Sequence, residues 1–126
     1  MKKAVLLILA AIMMVTLVAC GEGSGTITTT VAEVSETGNL ILKADISDLE
    51  DEGIVPGNEV LVEIGDYKAV VLYNKNVLEG QGIEQMYANA GEKRVEIFTY
   101  EGNFAETYAI KAEDAVTLTK IKQPEA

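Results

Sequence analysis

No window of this sequence sustains an apolar repeat near 3.6 residues, whereas short β-branched and apolar runs recur every 8 to 20 residues with polar or glycine turns between them. Runs of this length are too short for an amphipathic helix and suit a pleated, half-buried surface. They are Thr26–Val34, Leu40–Ala44, Val60–Ile64, Lys68–Tyr73, Val95–Tyr100 and Ala115–Ile121. Many short strands punctuated by turns favour an antiparallel sandwich or barrel. The expectation is a mainly β chain, a small antiparallel β-barrel with one or two short helical turns.

Local signals add detail. Gly65 and Asp66 lie between two apolar runs, a hairpin signal, because glycine tolerates the positive φ of a tight turn. Val60, Val62 and Ile64 alternate with Leu61 and Glu63, which predicts a first strand covered on one face. Val70, Val71 and Leu72 are continuous, which predicts a second strand buried on both. Ser35–Asn39 reads as a turn, and Pro56-Gly57 as a turn feeding a strand. Asp48–Asp51 and Asn103–Tyr108 read as single helical turns. Ile83–Ala90 fits either helix or strand.

The N-terminus carries an address. Lys2 and Lys3 precede a stretch in which 16 of the first 19 residues are apolar, ending in Leu17-Val18-Ala19-Cys20. The stretch is short for a spanning helix, which needs about 20 apolar residues, and it has the layout of a secretion signal. The ending resembles the bacterial lipobox, in which the thiol takes a diacylglycerol and cleavage falls just before the cysteine. An ordinary cleaved signal or an uncleaved anchor is the alternative. Cys20 is the only cysteine, so it has no disulfide partner. The expected organisation is a cleaved signal over 1–19, lipidated Cys20 with a glycine-rich tether over 20–25, a β-barrel domain over 26–121 and a frayed tail over 122–126. The lipobox implies an extracytoplasmic lipoprotein held in the bilayer through palmitate and diacylglycerol on Cys20. In a host with two membranes that is the outer membrane, since Gly21 is not the aspartate of inner-membrane retention; otherwise it is the cell membrane.

Charge and composition exclude several functions. The chain has 10 basic and 20 acidic residues and no histidine. Nucleic acid is therefore not an expected partner, because such binding draws on Lys and Arg. Ser-His-Asp triads and imidazole zinc sites are absent for want of histidine. Asp45, Asp48, Glu50, Asp51 and Glu52 form the densest acidic cluster. It does not have EF-hand spacing, and it reads as a solvated loop with a loose cation site as the alternative. No cofactor, no metal and no catalytic residue is expected.

A longer pattern runs through Leu49-Glu50-Asp51-Glu52-Gly53-Ile54-Val55-Pro56-Gly57-Asn58-Glu59-Val60, then Tyr73, Glu79-Gly80, Asn89-Ala90-Gly91, Val95-Glu96-Ile97, Gly102-Asn103-Phe104-Ala105-Glu106 and Ile110 to Val116. Over roughly residues 45–120 this succession resembles the C-terminal β-barrel domain of the S-adenosylmethionine hydroxide adenosyltransferase family, which includes the adenosylmethionine halogenases. The resemblance implies a barrel that holds part of an adenosine while catalysis belongs to a larger N-terminal domain. Tyr73, Asn89 and Asn103 match family positions and are the candidate ligand-binding residues. Read from the residues alone, Tyr73 is half-buried core, Asn89 a turn residue and Asn103 a helix cap. The expected function is a non-catalytic binding module for a small molecule or an envelope protein. A structural or assembly adaptor is the alternative, and a remnant adenosine-binding domain an outside reading.

Overall fold

The computed structural model describes residues 25–121. The signal segment 1–19, Cys20 and the tail 122–126 lie outside the described residues. The chain forms β1 (Thr26–Val34), β2 (Leu40–Leu42), α1 (Ile46–Asp51), β3 (Glu59–Ile64), β4 (Tyr67–Asn74), β5 (Glu84–Asn89), β6 (Arg94–Thr99), α2 (Phe104–Tyr108) and β7 (Ala115–Lys120). The seven strands close into a barrel in the order β1-β2-β6-β5-β4-β3-β7. The expected class, a small β-barrel with two short helices, is the fold observed. Closure satisfies the strand edges that an open sheet would leave exposed.

Hairpin β3–β4 turns across Gly65-Asp66, with Ile64 paired to Tyr67. Gly65 takes φ +58, as the turn requires. No atom lies within 4 Å of where a Cβ on Gly65 would stand, so the Cβ itself meets no clash there. Gly65→Val is therefore expected to destabilise by backbone strain alone, about 1–2 kcal/mol. Urea melts against exposed Glu36→Ala measure this, and equal midpoints would contradict it.

Strand β3 is covered on one face as expected, with Val60 and Val62 at 0% and Ile64 at 2% exposure. The expectation that β4 is buried on both faces is corrected. Its inward residues Tyr67, Val71 and Tyr73 are buried, while Val70 is 51% and Leu72 36% exposed. A single-layered barrel has no second sheet outside β4, so a continuous apolar run there leaves its outer members in solvent.

Six of the seven seams are antiparallel, and β4 with β5 is parallel. The connection 75–83 carries the chain back along the barrel before β5 starts, which imposes the parallel direction. That seam has only two register pairs, Tyr73 with Met86 and Asn74 with Tyr87. Side chains reinforce it. The Gln85 amide, at 0% exposure, accepts from Leu78 N–H at 2.7 Å and donates to Leu78 C=O at 2.9 Å, as a strand backbone would. Tyr67 and Tyr108 both donate their hydroxyls to the Glu84 carboxylate, tying β4 and α2 to the start of β5. Their rings lie 4.6 Å apart, and Phe104 lies 4.9 Å from each.

Both helices are fixed by caps. Asp45 accepts from Asp48 N–H, and the Asp48 side chain accepts from Asp45 N–H, a reciprocal capping box. The Asp48 N–H and the Ser47 hydroxyl hold the Asp45 carboxyl below its usual range. Two members of the acidic cluster thus start α1, whose Leu49 is fully buried in the barrel core. The barrel's two ends of chain meet: β1 pairs with β7, and Lys120 N–H donates to Gly25 C=O at 2.7 Å.

Candidate functional site

An open cleft of about 630 Å³ lies at one rim of the barrel, between the β1–β2 turn and the end of β6. Thr37 and Asn39 form one wall, Thr99 to Asn103 the other, and Phe98 completes the lining. The turn is built by its own polar groups. Gly38 N–H donates to Ser35 C=O, Ser35 N–H donates to Asn39 C=O, and Asn39 N–H donates to the Ser35 hydroxyl. The Thr37 hydroxyl donates to Asn39 Oδ1 at 3.3 Å. On the opposite wall Glu101 holds φ +57, a left-handed conformation costly for a residue with a Cβ.

The two walls are locked together. Asn103 caps α2, its Oδ1 accepting from Glu106 N–H at 2.8 Å. Gly38 packs against that amide so closely that a Cβ on Gly38 would stand 1.9 Å from Asn103 Oδ1. Gly38 C=O also accepts from Ala105 N–H at 3.1 Å. Behind Asn39 stands Glu96, only 6% exposed. It accepts from Arg94 Nε at 2.9 Å, Asn89 Nδ2 at 3.1 Å and Asn39 Nδ2 at 3.4 Å. The Glu96 hydrogen bond is the first cause of a raised Arg94 pKa. A buried carboxylate with three donors is well compensated and holds them in place.

The three sequence candidates do not converge. Only Asn103 lines the cleft, while serving as a cap. Asn89 ends β5, accepts from Glu92 N–H in the following turn, and reaches the cleft only indirectly, through Glu96 to Asn39. Tyr73 points into the barrel at 0% exposure, fully rather than half buried, and its hydroxyl has no hydrogen-bond partner. Sequence reasoning does not single out Thr37, Asn39 or Glu101; a Thr-Gly-Asn turn is the available signal, but it gives no hint of the strand end it faces. Among the described residues no three His, Cys, Asp or Glu side chains come together as a metal site. No described helix is long and apolar enough to cross a membrane.

Tyr73 carries its own prediction. Burial, with the Glu50 carboxylate second, pushes its pKa up to about 12. The native state prefers the neutral phenol, so this contribution is intact below the ordinary value of about 10 and is lost as pH rises through 12. Tyr73→Phe removes an unpartnered buried hydroxyl. It is expected to leave stability at pH 7 unchanged or raised by up to about 1 kcal/mol, and to flatten the fall in stability between pH 10 and pH 12. Urea midpoints at pH 7 and pH 11 read both effects. A substantial loss at pH 7 would show that the hydroxyl has a partner.

The cleft can do limited chemistry. No lysine or arginine lines it, so nothing there would neutralise an anion. Hydroxyl and amide groups, the Glu101 carboxylate and the rings of Phe98 and Tyr100 suit a neutral or cationic ligand with a flat face and several polar edges.

These features define a class: a small closed β-barrel with a polar, aromatic-edged rim cleft. The chain matches no family model and no curated protein. Among solved structures it is similar to an uncharacterized conserved protein from Thermotoga maritima, at 17% identity and TM-score 0.63 over 72% of this chain and 35% of that one. It is also similar to a conserved hypothetical protein from Thermus thermophilus, at 19% identity and TM-score 0.51 over 72% of this chain and 34% of that one. The likeness is one of fold, and this chain spans about a third of the length of the structures it matches.

Proposed function

We propose that this chain is an extracytoplasmic lipoprotein, anchored through acylated Cys20, whose barrel is a non-catalytic binding module for a small molecule with a flat ring and polar edges. The observation that carries the binding reading is the rim cleft, preorganised by Gly38, Asn103 and the Glu96 network and free of lining cations. The lipobox ending at Cys20 supports the anchor. Adenosine is the first ligand to test, because the sequence resembles a barrel that holds part of an adenosine, a remnant adenosine-binding domain being the outside reading. An envelope protein is the other partner class, and a structural adaptor the second reading.

Thermal shift of the full chain with adenosine, other nucleosides and neutral solutes tests binding. A ligand at 100 times its dissociation constant stabilises by about 2.7 kcal/mol, and Asn39→Ala or Tyr100→Ala should abolish that shift. No shift with any of these solutes would favour the adaptor reading. Incorporation of a fatty-acid analogue in a bacterial host tests the anchor: equal labelling of wild type and Cys20→Ala would remove it.

A further inference from the structure

Part of the outer surface of the barrel carries few charges. Across β4, β3, β7 and β1 the register sets Val70 beside Leu61, Leu61 beside Thr119, and Thr119 beside Thr26. The neighbouring rung runs Lys68, Glu63, Thr117 and Thr28. These residues face outward, since Val60, Val62, Val116 and Leu118 between them are wholly buried. The only charges on the two rungs are Lys68 and Glu63, which pair with each other at 3.8 Å. Leu72, 36% exposed and paired with Glu59 at the edge, extends the apolar area from Val70 at 51%. In a chain with 20 acidic residues against 10 basic, an area four strands wide whose two rungs hold a single ion pair marks where another surface can approach.

We propose that the β4–β3–β7–β1 face rests on the bilayer that holds Cys20, with Val70 and Leu72 at the headgroup–acyl boundary and the threonine hydroxyls among the headgroups. This inference rests on the lipoprotein reading above. The position of the anchor selects the occupant. β1 starts at Thr26, on the first rung of this face, and only Gly21 to Gly25 separate it from Cys20. The steps from Cys20 to Thr26 reach at most about 22 Å when fully extended, so an acylated Cys20 keeps the β1 side of the barrel within that distance of the membrane surface. Charge selects the lipid. Cleavage before Cys20 removes Lys2 and Lys3 and leaves 8 basic against 20 acidic residues, a balance repelled by anionic headgroups, so the surface it fits is zwitterionic.

The test uses the full chain, acylated in a bacterial host and reconstituted in phosphatidylcholine vesicles. Acylation occupies the only native thiol, so Val70→Cys offers a single site for a polarity-sensitive fluorophore. Glu92→Cys, in the turn between β5 and β6, is the control. The probe at 70 should shift to the blue and lose most of its emission when the lipids carry a shallow quencher, while the probe at 92 does neither. Adding anionic lipid should reduce the quenching at 70. Equal quenching at both sites, or none at 70 in chains that float with the vesicles, overturns the proposal and leaves the anchor standing. Chains that do not float at all overturn both. Energy transfer between labelled copies without quenching by lipid assigns the face to a second copy, which also overturns it.

Discussion

Gly38→Ala is expected to destabilise the protein by about 3 kcal/mol, although it adds one methyl group in a turn. Three contributions combine. Gly38 has φ +88, and a Cβ there brings left-handed strain of about 1–2 kcal/mol. The methyl would stand 1.9 Å from Asn103 Oδ1, so the amide must leave its place. Losing that cap on α2 costs about 1 kcal/mol. Displacing the turn also strains the bond from Ala105 N–H to Gly38 C=O, worth about 0.5–1.5 kcal/mol. A double-mutant cycle with Asn103→Ala separates the strain from the clash. The double variant should recover part of the loss, because Asn103→Ala removes the atoms with which the methyl collides. Strict additivity of the two losses would mean that turn and cap are not in contact.

Gln85→Leu is expected to lose about 2–4 kcal/mol, since it leaves both Leu78 N–H and Leu78 C=O without their partner next to a buried position. The loss should be local in origin. Amide hydrogen exchange over 75–83 should speed up well beyond the general change, because no other side-chain amide clamps both polar groups of a residue in that connection among the described residues. Uniform acceleration across β3 and β7 would instead point to global loosening.

Much of the architecture can be read in advance, and the reason is locality. Gly65-Asp66 between two apolar runs specifies its hairpin within four residues. The turn at Ser35–Asn39 and the cap Asn103 likewise depend on neighbours in sequence, whereas Asp45, read as part of a solvated acidic loop, caps α1. The failures share the opposite property. Ile83–Ala90 is ambiguous in sequence because its strand character comes from pairing with Arg94–Thr99, not from its own pattern. The continuous Val70-Val71-Leu72 run suggests two-sided burial, yet coverage depends on whether another layer exists outside the barrel, which periodicity does not encode. The parallel β4–β5 seam follows from the path of the connection 75–83. The cleft joins a turn near residue 38 to a strand end near residue 101, and neither segment signals the other. Asn103 reads as a cap from its position, but its contact with Gly38 does not. Tyr73 and Asn89 stand together as candidates in the sequence, whereas the closed barrel places one inside and the other at a turn.

The meeting of Gly25 and Lys120 has a consequence for how such a barrel travels between proteins. Entry and exit lie one hydrogen bond apart, so a host chain interrupted at a surface loop could take up the whole barrel without its own two sides being forced apart. The same adjacency means that a short linker could join the ends and the chain be reopened elsewhere, for instance at the Gly65-Asp66 turn, with every seam of the ring preserved.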